Sequence, residues 1–180
     1  MELIELNALD GEAAAREFLR CCGSSRWARQ MSAARPFADV AALAAAADRI
    51  GSTLDREDWL EAFAAHPKIG AGRAVAAGRA GGAGGAGTAA WSDQEQASVA
   101  LAAGETLRRL AEANRAYETR FGYIFIVCAT GKTVGEMLTL LERRLRHDAD
   151  DELRIAAEEQ RKITRLRLAK LLEQEPDSIP

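Results

Sequence analysis

The chain places a histidine and a glutamate at two predicted helix boundaries, and these residue types suit acid–base chemistry without a cofactor. His66 stands directly before Pro67, and Glu95 lies in the segment 92–96, Ser-Asp-Gln-Glu-Gln. An imidazole has an ordinary pKa of about 6.5, which suits proton transfer near neutral pH. A carboxylate in the same pocket supplies a second group of this kind. His66 and Glu95 are therefore candidates for a catalytic acid–base pair.

Structural explanations exist for both residues. A cationic ring near a helix C-terminus is favourable in itself, and Pro67 ends the helix that precedes it. Glu95 follows Ser92 by three residues, which is the spacing of a capping box. Ser92 can cap the helix while Glu95 faces a ligand, so the structural and catalytic roles are compatible.

Three arginines of the last predicted helix are candidates for binding an anionic or ureide ligand. Arg161 and Arg165 are one turn apart and share a face, whereas Arg167 lies about a third to a half of a turn away. Most helical arginines are solvated. An arginine flanked by core leucines, as Arg167 is, is a better candidate for an inward guanidinium that binds a carboxylate or urea group in a bidentate manner.

The elements that must position these residues are predicted to be helices. Alanine-rich composition and apolar residues at helical spacing favour an all-α fold, a single-domain bundle of about seven to nine helices over 1–180. Thr133 and Glu136 form a second predicted capping box. The stretch of about 70–90 is nearly all Gly, Ala and Arg and predicts a mobile loop. The predicted helices are 9–22, 27–34, 37–50, 53–65, 92–120, 133–147 and 150–173.

One segment, 123–129, departs from the helical pattern. Its sequence, Tyr-Ile-Phe-Ile-Val-Cys-Ala, follows Gly122 and favours a strand by propensity alone. Because nothing else in the chain resembles a partner strand, we predict an irregular segment buried among helices. Its backbone groups would need partners, which a planar, amide-rich ligand can supply.

The overall composition argues against several functions. A net charge of −3 gives no general attraction to nucleic acid or to an anionic membrane, and no apolar run is long enough to span one. The three cysteines lack metal-ligand spacing, and His147 with nearby acids reads as a solvated helix terminus, so no metal is expected. The odd cysteine count and the absence of a signal peptide favour the cytoplasm.

The ordered set of motifs resembles the 2-oxo-4-hydroxy-4-carboxy-5-ureidoimidazoline (OHCU) decarboxylase family. Each motif is weak alone, and the ordered set is specific. The matching pieces are Arg35-Pro36-Phe37, His66 to Gly70, Trp91-Ser92 with Glu95-Gln96, Asn114 with Tyr117, Phe121 to Ala129, Lys162-Ile163 and Leu166-Arg167-Leu168.

The resemblance implies a cofactor-free carboxy-lyase of urate (purine) catabolism. It implies an all-α homodimer that removes CO2 from a small-molecule ureidoimidazoline to give (S)-allantoin. It implies that His66 and Glu95 are catalytic and that Arg167 binds the ligand. The other substrate-binding residues implied are Pro67, Ser92 and Gln96, which line the pocket, and Phe125, Ile126, Val127, Cys128 and Ala129, whose backbone contacts the ring. The Gly/Ala insertion looks longer than the family needs.

Three other functions remain open from the sequence. A non-catalytic helical module could bind a ureide with the same residues. A cofactor-free hydrolase or isomerase could act on a related ureide. A helical interaction domain could dock through its arginine-rich last helix, and only this reading predicts that the charge of that helix matters more than His66.

Overall fold

Eight helices are found in the part of the chain that the structure describes, which confirms the all-α prediction. The computed structural model describes residues 1–67 and 89–172, and of residues 89–103 the backbone alone. The predicted Gly/Ala loop lies outside these residues, apart from its last two positions. The helices are α1 (Leu3–Ala8), α2 (Gly11–Cys22), α3 (Ser25–Ala33), α4 (Val40–Gly51), α5 (Arg56–Ala64), α6 (Ala89–Phe121), α7 (Val134–Arg144) and α8 (Ala149–Leu171).

Short polar side chains begin most of these helices. Asp10, Ser24 and Asp39 each accept a hydrogen bond from a backbone N–H of the first turn of the helix that they cap. Thr133 and Glu136 form the predicted capping box of α7. Each cap satisfies a donor that the helix itself leaves without a partner, and the caps fix where the chain turns between helices.

The chain forms two compact units, of which the first contains α1–α5, α8 and residues 126–128. Within it α2 packs against α3 and α8, and α4 and α5 also pack against α8. Phe18 meets both Trp27 and Phe37 edge to face, and all three side chains are buried. Helix α8 therefore runs along the core of this unit.

The second unit contains α6 and α7, which pack against each other. Gly122 ends α6 in a left-handed conformation with φ of 80°. The ring of Tyr117 then packs against Phe121, Tyr123 and Phe125. The buried guanidinium of Arg144 lies 4.7 Å from the centroid of the Phe125 ring.

Residues 123–128 form neither helix nor strand, as predicted. The side chains of Tyr123, Phe125, Ile126 and Val127 are buried. Without a neighbouring strand, the backbone groups of this segment must bond elsewhere.

The turn between α1 and α2 is tied together by one arginine. Arg35 Nη1 donates to the carbonyls of Leu6 and Leu9, each at 2.7 Å, and Nη2 donates to Asp10 at 3.4 Å. These carbonyls lie at the end of α1 and just beyond it, where no intrahelical donor remains.

We predict that Arg35→Lys lowers the free energy of unfolding by about 1–3 kcal/mol, because an ammonium cannot span the carbonyls that the planar fork reaches. Urea denaturation measures the change. Arg29→Lys is the control, since Arg29 is exposed on α3, and we expect a change within about 0.5 kcal/mol. Equal effects of the two substitutions would contradict this role of Arg35.

Candidate active site

The C-terminal end of α2 is held by side chains of α8. Arg167 Nη1 donates to the carbonyls of Cys21 at 3.3 Å and Arg20 at 3.4 Å. Gln160 Nε2 donates to the carbonyl of Cys22 at 3.1 Å. The last carbonyls of a helix have no intrahelical partner and carry partial negative charge, so a guanidinium is well placed there.

Gly23 allows the end of α5 to approach the end of α2. Its φ is 87°, and a Cβ built on it would lie 2.7 Å from Ala65 Cβ, closer than real side chains come. Only glycine fits this position without a shift of the backbone. Because His66 directly follows Ala65, this close approach brings the histidine to the arginine of α8.

His66 and Arg167 are the two predicted site residues that the structure brings into contact. Arg167 Nη2 lies 3.4 Å from His66 Nδ1. A guanidinium can only donate, so Nδ1 must accept. Burial and, to a smaller extent, the positive charge of Arg167 lower the pKa of His66 from 6.5 to about 4, and the Gln160 side chain opposes the shift. The pKa is therefore shifted from the ordinary value of a histidine, and the ring is neutral near pH 7.

Arg167 also faces solvent on its other side. It lines an open groove of about 370 Å³ together with Arg20, Lys170, Cys21, Glu17 and Leu171. Three cations and one carboxylate line this groove, so it favours an anionic ligand. The guanidinium thus lies between a solvent-accessible cationic surface and a neutral imidazole.

The other two candidate arginines have a structural partner instead. Arg165 and Arg161 both pair with Asp48 of α4, the latter at 3.6 Å. These pairs join α8 to α4. The one-turn spacing that placed Arg161 and Arg165 on a common face is confirmed, since both reach the same carboxylate.

Part of the irregular segment is attached to the same helix. Cys128 N–H donates to Glu159 Oε2 at 2.8 Å, and Lys162 Nζ donates to Glu159 Oε1 at 2.6 Å. The backbone at Ile126, Val127 and Cys128 therefore belongs to the same unit as His66 and Arg167. Phe125 and Ala129 belong to the second unit, where Phe125 is buried and Ala129 is exposed.

The remaining predicted site residues flank the segment that the structure leaves out. Pro67 follows His66 and is exposed. Ser92, Glu95 and Gln96 lie in the first turns of α6, and their side chains are outside the described residues. Because α6 already begins at Ala89, the predicted N-cap at Ser92 is wrong. The helix is extended by three residues, two of which are alanine, the best helix former.

The cysteines near this site are poor nucleophiles. Burial raises the pKa of the Cys21 thiol to about 12 and also raises that of Cys22. Among the described residues, no group of three or more His, Cys, Asp or Glu side chains could hold a metal ion. The chemistry of the described part of the site therefore depends on His66 and Arg167.

Sequence reasoning missed Glu159, Gln160 and Thr164. Gln160 and Thr164 are buried, and Gln160 Nε2 lies 3.4 Å from Thr164 Oγ1. The available signal was their spacing, since Ala156, Gln160, Thr164 and Leu168 recur every four residues and all face the core. Uncharged polar residues in an apolar stripe indicate a buried hydrogen-bond network.

These features define an all-helical protein with a neutral histidine beside a ligand-accessible arginine. The family model of OHCU decarboxylase matches residues 7–169. The chain belongs to the OHCU decarboxylase family, and the resemblance carried by its ordered motifs is confirmed.

The similar proteins agree with this assignment. The chain is 42% identical over 156 residues to the uric acid degradation bifunctional protein TTL of Arabidopsis thaliana, covering 86% of this chain and 46% of that protein. It is 29% identical to the OHCU decarboxylase of Haloferax volcanii, covering 94% of this chain and 95% of the relative. A crystal structure of OHCU decarboxylase in the presence of (S)-allantoin has 39% identity and a TM-score of 0.67, covering 88% of this chain and 98% of that one.

The low pKa of His66 predicts an acid-sensitive fold. Between about pH 4 and pH 6.5 the unfolded chain protonates this ring while the folded chain does not, so the free energy of unfolding falls as the pH is lowered through this window. In His66→Gln we expect the free energy of unfolding to fall less over this pH window, since the glutamine amide does not titrate. Urea denaturation at several pH values measures the free energy of unfolding. His147→Gln is the control, and a fall equally reduced in both variants would contradict the assignment.

The hydrogen bond from Cys128 predicts a role for Glu159. Glu159→Leu leaves a part-buried N–H without this acceptor, and we expect the free energy of unfolding to fall by about 1–3 kcal/mol. Glu159→Gln retains an acceptor and should lose less. The matched control is Glu158→Leu, because Glu158 is exposed and pairs with Arg154 at the surface. Equal losses at Glu158 and Glu159 would count against the role.

Proposed function

We propose that this protein converts OHCU to (S)-allantoin and CO2 without a cofactor, as a carboxy-lyase of urate catabolism. Family membership supports the reaction class. The relatives named above are an OHCU decarboxylase and a uric acid degradation protein. The observation that carries the proposal is the contact between Arg167 and a neutral His66.

The substrate carries its own electron sink. An imine lies next to the ring carbon that bears the hydroxyl and carboxylate groups. When the bond between that carbon and the carboxylate breaks, the electron pair moves toward the imine, the ring nitrogen takes a proton from solvent, and CO2 leaves. The hydroxyl then loses its proton to become a carbonyl, and the former imine carbon gains one. The protein must anchor the anion and move these protons.

The described residues fit both tasks. Arg167 offers N–H donors on the side of the cationic groove, so it can anchor the carboxylate or ureide of the substrate. His66 is neutral near pH 7 and can accept the hydroxyl proton. A proton held by His66 can then be returned to one face of the former imine carbon, which gives a single enantiomer.

We propose roles for the other predicted site residues too, of which Ser92, Glu95 and Gln96 have side chains outside the described part. Glu95 is the second catalytic group, and Ser92, Gln96 and Pro67 line the pocket. The backbone from Phe125 to Ala129 contacts the substrate ring. These assignments rest on the family resemblance.

The proposal also includes a homodimer in the cytoplasm, with the chain acting as one domain. Cys21, Cys22 and Cys128 form no disulfide with one another, which fits a reducing compartment. No helix within the described ranges is long and apolar enough to cross a membrane. Sedimentation equilibrium of the purified protein tests the dimer.

A coupled assay tests the reaction. OHCU is generated from urate by the two preceding enzymes, and circular dichroism follows the formation of (S)-allantoin. We expect rapid formation with this protein, and a loss of about 10²–10⁴-fold in His66→Ala and in Glu95→Gln, the range for removal of a general acid–base group. Far-ultraviolet circular dichroism checks that the variants fold.

His147→Ala is the matched control, because it removes the second histidine of the chain and lies outside the proposed site. It should retain full activity. Racemic product at the spontaneous rate with wild-type protein would contradict the proposed reaction and favour a binding module or a hydrolase of a related ureide.

A further inference from the structure

Two buried polar atoms at the site lack a hydrogen bond among the described residues, and they are complementary. They are His66 Nε2 and Gln160 Oε1. The amide oxygen can only accept, and a ring nitrogen can donate when it carries the proton. The side chain of Gln160 is close enough to favour the protonated ring. Gln160 itself is fully buried, so bulk solvent does not reach its oxygen.

The orientation of the Gln160 amide is fixed by its neighbours. Its Nε2 donates to the carbonyl of Cys22 at 3.1 Å, which only a donor can satisfy. Thr164 Oγ1 donates its proton to the backbone carbonyl of Gln160 at 2.9 Å. It therefore accepts from the side-chain Nε2 of Gln160 at 3.4 Å. With the nitrogen assigned by two acceptors, Oε1 is the group left for His66.

The other ring nitrogen is fixed by Arg167. The guanidinium lies against Nδ1 and can only donate, so Nδ1 presents its lone pair. A neutral imidazole has one N–H, and this contact favours its placement on Nε2. Arg167 and Gln160 thus favour the same tautomer.

We propose that Gln160 is a positioning residue that holds His66 in the Nε2–H tautomer and makes Nδ1 the nitrogen that takes the substrate's proton. The second half rests on the proposed function. Before substrate binds, Arg167 covers Nδ1. An anionic substrate draws the guanidinium to its carboxylate and uncovers the lone pair. The hydroxyl proton moves to Nδ1 and gives an imidazolium, whose Nε2–H faces the Gln160 oxygen. Return of the Nδ1 proton to the former imine carbon restores the neutral ring.

Nitrogen-15 NMR of protein labelled at histidine tests the tautomer directly, because the chain has only two histidines and His66→Gln identifies the signals of His66. At neutral pH we expect His66 to show a protonated Nε2 and an unprotonated Nδ1. In Gln160→Leu only the long 3.4 Å contact from Arg167 still favours this form, so the second tautomer should appear beside it. Gln160→Glu keeps an acceptor and should keep the Nε2–H form.

Kinetics test the consequence for catalysis. We expect kcat of Gln160→Leu to fall about tenfold, the effect of one lost hydrogen bond, with KM changed less than about twofold. Gln30→Leu makes the same substitution on α3, away from the site, and should leave both constants unchanged.

The proposal is overturned if wild-type His66 carries its proton on Nδ1. It is also overturned if the tautomer of His66 is unchanged in Gln160→Leu. The wild-type spectrum decides this even if the variants fail to fold. Absence of (S)-allantoin formation by the wild-type protein overturns the proposed function and the role of Nδ1, whereas the spectrum still tests whether Gln160 sets the tautomer.

Discussion

The contact between the guanidinium of Arg167 and the ring of His66 is the interaction on which the rest of the site depends. A cation beside an imidazole opposes its protonation, and burial acts in the same direction. A histidine at the end of a helix would ordinarily gain from being charged. Here desolvation and the nearby arginine outweigh that gain. The imidazole of His66 is therefore uncharged near neutral pH and can accept a proton. The close approach of α5 to α2 at Gly23 makes the contact possible.

Helix α8 organises the described part of the site. Its Arg167 and Gln160 bind the last carbonyls of α2, and its Glu159 binds the backbone of Cys128. Each of these bonds satisfies a backbone group that its own segment leaves without a partner. Arg167 and Gln160 therefore both stabilise the fold and face His66, which explains why a buried glutamine occurs in the core of a small helical unit.

Local patterns predicted much of the fold, and tertiary contacts decided the rest. Helix periodicity, the Thr133 cap and the irregular segment after Gly122 are local signals, and the structure confirms them. Ser92 was wrongly predicted as the helix cap, because α6 already begins three residues earlier, at Ala89. The pKa of His66 depends on an arginine 101 residues away, and no local pattern reports it. Gln160 and Thr164 carried a signal in their spacing, but their partner Cys22 is distant in sequence.

The most direct test of the account is an NMR titration of His66 in the wild-type protein and in Arg167→Met, which removes the charge and keeps a long side chain. The account predicts that wild-type His66 stays neutral down to about pH 4. In the variant the midpoint should rise, although not fully to the ordinary value, because burial remains. A wild-type midpoint of about 6.5, the ordinary value for histidine, or the same midpoint in both proteins would contradict the claim that Arg167 and burial keep this ring neutral.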